Sequence, residues 1–143
     1  MKVVVTGGAG FIGSNLTDEL ARDHEVTVID NLSTGRIENL DHIRDRIQFI
    51  NGSILDLDLL RQAFAGADTV FHQAAIPSVQ RSVDNPIASN QANVDGTLNV
   101  LVAAKDSRVR KVVFAFHERE ELGRGIFRSL CIYRSSVFLS RGK

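Results

Sequence analysis

The sequence holds no tryptophan, a single cysteine and no excess of either charge. One thiol, Cys131, excludes an intrachain disulfide and makes the cytoplasm the expected compartment. Its 17 basic and 17 acidic residues cancel. That balance argues against a dedicated nucleic-acid or membrane-surface binder, which carries a basic excess. No apolar run approaches the roughly 20 residues needed to span a bilayer. Met1 to Val5 meets glycines at once and lacks the apolar stretch and cleavage site of a signal peptide. His24, His42 and His117 show no metal-ligand spacing, so no metal site is expected. Internal repeats and low-complexity linkers are absent as well. What remains is an ordinary globular composition, 43% hydrophobic and 24% charged, over 143 residues. That length suits one domain and excludes two full-sized ones.

Short β-branched runs alternate with segments of helical period. Strands are expected at Lys2 to Thr6, Glu25 to Asp30, Ile47 to Ile50, Asp68 to His72 and Val109 to Ala115. Helices are expected at Phe11 to Arg22, with Phe11, Ile12, Leu16 and Leu20 on one side, and around Ile37 to Ile43. A third helix follows the Asp56 cap and runs to Phe64, where Gly66 ends it. A loop carrying Pro77 and Pro86 leads to a long helix, Pro86 to Lys105. Its candidate buried residues include Ile87, Ala88, Val94, Leu98, Leu101 and Val102. Strands alternating with helices call for right-handed crossovers and a parallel sheet covered on both faces. The expected fold is therefore α/β, a doubly wound (Rossmann) sheet of strand order 3-2-1-4-5.

Between the first strand and first helix lies Thr6-Gly7-Gly8-Ala9-Gly10-Phe11-Ile12-Gly13. Gly7, Gly10 and Gly13 give a G-x-x-G-x-x-G spacing. Such glycines allow a tight turn, close backbone approach to a pyrophosphate and close helix–sheet packing. The amides and dipole at the helix start favour phosphate charge. The context is the required one: strand before, helix after, and Asp30 ending the second strand. A carboxylate there accepts hydrogen bonds from adenosine ribose hydroxyls and repels a 2′-phosphate, favouring NAD over NADP, although Arg36 lies close by. The alternative role for Asp30 is a turn or helix cap. His72 ends a buried strand and reads as structural.

Several segments carry a resemblance: VTGGAGFIGSNL from Val5, VIDNLSTG from Val28, VFHQAAIPSVQRSVDNP from Val70, NVDGTLNVL from Asn93 and KVVFA from Lys111. Over its first 115 residues the chain resembles the extended short-chain dehydrogenase/reductase family of NAD-dependent nucleotide-sugar epimerases and dehydratases. The likeness is to the UDP-glucose and UDP-N-acetylglucosamine 4-epimerase type. The resemblance implies that Gly7, Gly10, Phe11, Ile12 and Gly13 hold the pyrophosphate of NAD. It places Asn31, Ser33, Thr34 and Gly35 with Asp30 around the adenosine ribose, and Ser53 and Ile54 against adenine. The family usually has Asp where Ser53 stands. Gln73, Ala74, Ala75 and Asn93 would face the cofactor, and Ser78 and Arg81 would approach the nucleotide sugar. In the family a Tyr, assisted by a Lys four residues later, removes a hydroxyl proton while hydride passes to NAD and back. A helix pair in relatives makes a homodimer.

The resemblance stops after Ala115. The family continues with a serine-rich turn and a Tyr-x-x-x-Lys helix, whereas this chain continues Phe116-His117-Glu118-Arg119. Its only tyrosine, Tyr133, is followed four residues later by Val137. No catalytic residue is therefore assigned, and the chain alone is expected to lack epimerase activity. From Phe116 onward there is no Asp, Asn or Pro, and five of the thirteen arginines gather there. Residues 1–115 are expected to form the NAD-binding domain and 116–143 an aberrant tail, in which 130–139 can form a strand. A sheet ending at its fifth strand is expected to leave an edge uncovered. Two accounts compete: a frameshift just after Ala115, favoured by the abrupt change in mid-motif, or a genuine short product that binds NAD without catalysis. Resequencing the gene across codons 110 to 125 and translating the other frames decides. The frameshift account expects one frame to yield a serine-rich turn and then Tyr-x-x-x-Lys; finding none overturns it.

Overall fold

A computed structural model of the chain describes residues 1–76, 79–116 and 129–134. Five strands pair in parallel: β1 (Lys2–Thr6), β2 (Glu25–Asp30), β3 (Ile47–Asn51), β4 (Thr69–His72) and β5 (Lys111–Phe116). Their order is β3-β2-β1-β4-β5, as the alternation of elements requires. Val3, Val4 and Val5 of the central strand are all essentially inaccessible. Helices cover both faces, which is why that run reads as unbroken Val rather than alternating. Alternate side chains nonetheless feed two separate cores. Val3 and Val5 join Val26, Val28, Leu40 and Ile43 on one face. Val4 joins Ile29, Leu60, Phe64, Val70 and Val100 on the other.

The first core is covered by α1 (Phe11–Leu20) and a 3₁₀ segment, Ile37–Arg46. The second is covered by α2 (Leu57–Phe64) and α5 (Gly96–Asp106). Asp56 caps α2 as expected, its Oδ1 accepting the Leu59 amide at 2.9 Å. The long helical region that follows β4 is a composite. The helix expected from Pro86 divides into α4 (Pro86–Asn90), a π-helical turn (Gln91–Asp95) and α5, and α3 (Val79–Asp84) precedes it where a loop was expected. Neither α3 nor the π turn was foreseen from the sequence.

Two helix faces also differ from expectation. On α1, Phe11 is 85% exposed and Ile12 is exposed, while Gly13, Ser14 and Thr17 are buried. In the α4–α5 region Ile87, Val94 and Leu98 are exposed, and Gly96, Val100, Ala103 and Ala104 are buried. The cause is proximity. A Cβ on Gly13 would run into the Gly7 carbonyl oxygen, and one on Gly96 into Ile54 Cδ1. Helices seated that closely on the neighbouring chain bury small residues at those contacts, so hydrophobic period alone picks the wrong side.

The outer edge of β5 is covered, contrary to the expectation of an open edge. A sixth strand, β6 (Ser129–Arg134), lies antiparallel on it, with Val113 opposite Ile132. This strand overlaps at 130–134 the stretch 130–139 that the sequence allowed as a strand; residues 135–139 lie outside the described residues.

Candidate functional site

The C-terminal ends of β2, β1 and β4 meet at one rim of the sheet, where open α/β sheets carry their ligands. Gly7, just past β1, has φ +71°. Its amide donates to Ile29 O at 2.8 Å on the β2 side. On the β4 side a Cβ there would lie 2.5 Å from the Ala74 amide nitrogen. Only glycine fits both the φ and the contact. Gly10 caps α1 without a side-chain hydrogen bond. A Cβ at Gly10 would meet nothing within 4 Å except Gly7 O at 3.3 Å, so the helix start is open. The amides of Phe11, Ile12 and Gly13 find no acceptor among the described residues, and α1 has no acidic residue in its first turn. Three free donors at the positive end of a helix, under an open glycine, form an anion seat.

Asp30 braces this seat. It is buried, with Oδ2 accepting the Ala9 amide at 2.9 Å and Oδ1 the Leu32 amide at 2.8 Å. That is the turn-capping role left open beside ribose recognition. Each oxygen keeps further acceptor capacity. The Ala9 carbonyl in turn accepts the Arg36 amide at 3.0 Å and Asn39 Nδ2 at 2.8 Å. Gly35 packs on Ala9 so closely that a Cβ would sit 2.8 Å from the Ala9 carbonyl carbon. The segment 31–36 is thereby strapped to the glycine turn, with Asn31, Ser33 and Thr34 exposed beside Asp30. Ser53 is half-buried, its Oγ accepting the Leu55 amide at 3.1 Å. Ile54 is buried in the core against Gly96.

On the β4 side, Gln73 and Ala74 are half-buried and Ala75 exposed. The Gln73 amide extends the ladder to Thr6 O at 2.9 Å. Asn93, in the π turn, holds this loop: Oδ1 accepts the Ile76 amide at 2.8 Å and Nδ2 donates to Ile76 O at 3.1 Å. Arg81 lines a shallow depression of about 220 Å³ with Ile76, Asp84, Asn85, Ala88 and the buried Ser89. Ser78 lies outside the described residues. Ala9, Thr6 and Thr97 were not singled out from sequence. Thr97 carried a signal all the same, because it stands four residues after Asn93, within back-bonding reach on a helix.

Residues 3–116 match the model of the NAD dependent epimerase/dehydratase family. The chain belongs to that family. A UDP-glucose 4-epimerase of Mycolicibacterium smegmatis is 46% identical over 118 residues, covering 79% of this chain and 37% of that protein. A dTDP-glucose 4,6-dehydratase of Mycobacterium tuberculosis is 41% identical over 114 residues, covering 77% and 34%. The UDP-glucose 4-epimerase of Thermus thermophilus, solved in complex with NAD, superposes with a TM-score of 0.74 at 40% identity, covering 87% of this chain and 42% of that one. This family member thus spans well under half the length of these relatives. Among its described residues no helix is long and apolar enough to cross a membrane, and no group of three or more His, Cys, Asp or Glu residues could hold a metal ion.

Behind the rim, burial pushes His72 from its ordinary 6.5 down to about 4. The unfolded chain therefore takes up a proton near pH 6.5 that the folded family member refuses until about pH 4. Stability is fully present above pH 6.5 and falls as pH drops through that window, by on the order of 3 kcal/mol. Denaturant unfolding of wild type and His72→Gln across this range isolates the effect, since carboxylate contributions are common to both. The wild type is expected to lose more stability than the variant; equal losses contradict the assignment.

Proposed function

We propose that this chain is the NAD-holding part of a nucleotide-sugar epimerase of the UDP-glucose or UDP-N-acetylglucosamine 4-epimerase type. The observation that carries the reading is the set of three unpartnered amides, Phe11, Ile12 and Gly13, beneath the open Gly10. The donor chemistry fits a pyrophosphate. In this reading Gly7, Gly10, Phe11, Ile12 and Gly13 seat the diphosphate. Asp30, with Asn31, Ser33, Thr34 and Gly35, receives the adenosine ribose, using acceptor capacity left after the Ala9 and Leu32 amides are satisfied. Ser53 and the edge of Ile54 border adenine. Gln73, Ala74, Ala75 and Asn93 border the other nucleoside, and Arg81 with Ser78 borders the nucleotide sugar. Bound NAD supplies hydride acceptance and return.

Activity is a separate matter. The single tyrosine, Tyr133, has Val137 four residues on, so no Tyr-x-x-x-Lys pair stands ready to move the hydroxyl proton. We read residues 1–115 as the NAD-binding domain and 116–143 as an aberrant tail whose Ser129–Arg134 segment lies along β5. The chain alone is then inactive. Two further readings have support: a dehydratase descent, from the mycobacterial relative, and a non-catalytic NAD-binding module, from the missing pair. Val83, Ile87, Val94 and Leu98, exposed along α3 to α5, support a homodimer with a second copy of this chain. The lone cysteine supports a cytoplasmic setting.

Calorimetric titration of the purified chain is expected to give saturable NAD binding, weaker NADP binding and no interconversion of UDP-glucose and UDP-galactose. Sedimentation of the same sample reads the dimer. Absence of NAD binding removes the reading. Detectable turnover overturns the inactive assignment, and a monomer removes the homodimer.

A further inference from the structure

A hydrogen-bonded chain runs behind the rim from β1 to the π turn. The Thr6 hydroxyl lies 2.7 Å from His72 Nδ1, and His72 Nε2 lies 3.0 Å from Thr97 Oγ1. The Thr97 hydroxyl donates to the Asn93 carbonyl at 2.8 Å. These contacts fix the protons. A hydroxyl has one hydrogen, and Thr97 spends it on Asn93 O. Toward His72 it can only accept, so Nε2 carries the imidazole proton. Nδ1 of the neutral ring is then bare and accepts the Thr6 hydroxyl hydrogen. Thr6 and His72 are both buried.

Asn93 is tied at two points. Its carbonyl takes the Thr97 hydroxyl, while its side-chain amide bonds both the backbone N–H and the carbonyl of Ile76. It sits in the one π-helical turn among the described residues. Such turns are rare and recur at functional sites. The back-bond from Thr97 to the carbonyl four residues earlier bends the regular ladder at this turn. The loop 73–76 is thus tied through Asn93 to the π turn, and the π turn through Thr97 to His72.

The sheet order says what this loop meets. β1 stands between β2 and β4, so Asp30 and the loop 73–76 flank the glycine turn on opposite sides. A dinucleotide with its diphosphate on that turn must lay one nucleoside on each side. Asp30 takes the adenosine half; the loop takes the half beyond the diphosphate.

We propose that His72 is a positioning residue that, through Thr97 and the π-turn Asn93, seats the loop 73–76 for the nicotinamide nucleoside of NAD. The inference rests on the NAD-binding reading above. It separates the two halves of the ligand: ADP engages the glycine turn and Asp30 only, whereas NAD also engages the loop.

The test compares NAD and ADP affinity for the full chain, its Thr97→Val variant and its Thr97→Ser variant, with thermal unfolding of each. Thr97→Val keeps the side-chain shape and removes the hydroxyl. It is expected to weaken NAD about tenfold while ADP stays within about twofold, and Thr97→Ser is expected to restore NAD. Equal loss of both ligands, or loss of neither, overturns the proposal, because a merely structural role does not discriminate between them. Wild type that binds ADP and NAD with the same affinity also overturns it and leaves the diphosphate seat standing. Wild type that binds neither removes the underlying reading and this one with it. Imidazole ¹⁵N shifts of wild-type His72 near neutral pH give a check free of variants. Protonated Nε2 with bare Nδ1 is expected, and the opposite tautomer overturns the chain of bonds.

Discussion

The first turn of α1 rests on the carbonyl of Gly7 with no side chain between them. Gly13 makes this possible, because any Cβ there would occupy the space of the Gly7 oxygen. Three consequences follow from that one contact. The helix axis is aimed at the rim, so its unpaired amides face outward at the end of β1. The helix buries small residues, Gly13, Ser14 and Thr17, where a looser packing would admit large ones. Phe11 and Ile12, displaced from the core, stand exposed at the mouth of the site. Asp30 and Ala9 then lock the turn onto β2, and Gly35 and Asn39 lock the following segment onto Ala9.

The site therefore has two halves with different kinds of support. On the β2 side the supports are backbone amides and carbonyls held by one buried carboxylate. On the β4 side they are side chains, a relay of hydroxyl, imidazole and amide that ends on the Ile76 peptide. Backbone supports tolerate few changes, since each depends on glycine or on a single acceptor. Side-chain supports can be altered one hydrogen bond at a time.

Much of this was legible in the sequence. The strand order followed from alternating elements and the handedness of crossovers. The seat followed from three glycines between a strand and a helix, with Asp30 at the end of the next strand. The Asp56 cap followed from residue type. The misses have physical causes. Hydrophobic period pointed to Phe11, Ile12, Ile87, Val94 and Leu98 as buried, but the buried faces carry mainly Gly, Ala, Ser and Thr, with Val100 the larger member. The π turn is invisible to a 3.6-residue period, and α3 hid within a loop bounded by Pro77 and Pro86. The hold of the Asn93 side chain on Ile76 was not legible either, since no local pattern indicates a partner 17 residues away. The strand along β5 came from a tail with no clear punctuation.

The central claim is that the amides at the start of α1 are the diphosphate seat. Residue-resolved amide NMR of the chain titrated with NAD tests it most directly. Phe11, Ile12 and Gly13 are expected to show the largest saturable shifts, with Ala9 and Leu32 following through Asp30 and the exposed face of α5 unchanged. Saturable binding that leaves those three amides unmoved would contradict the account.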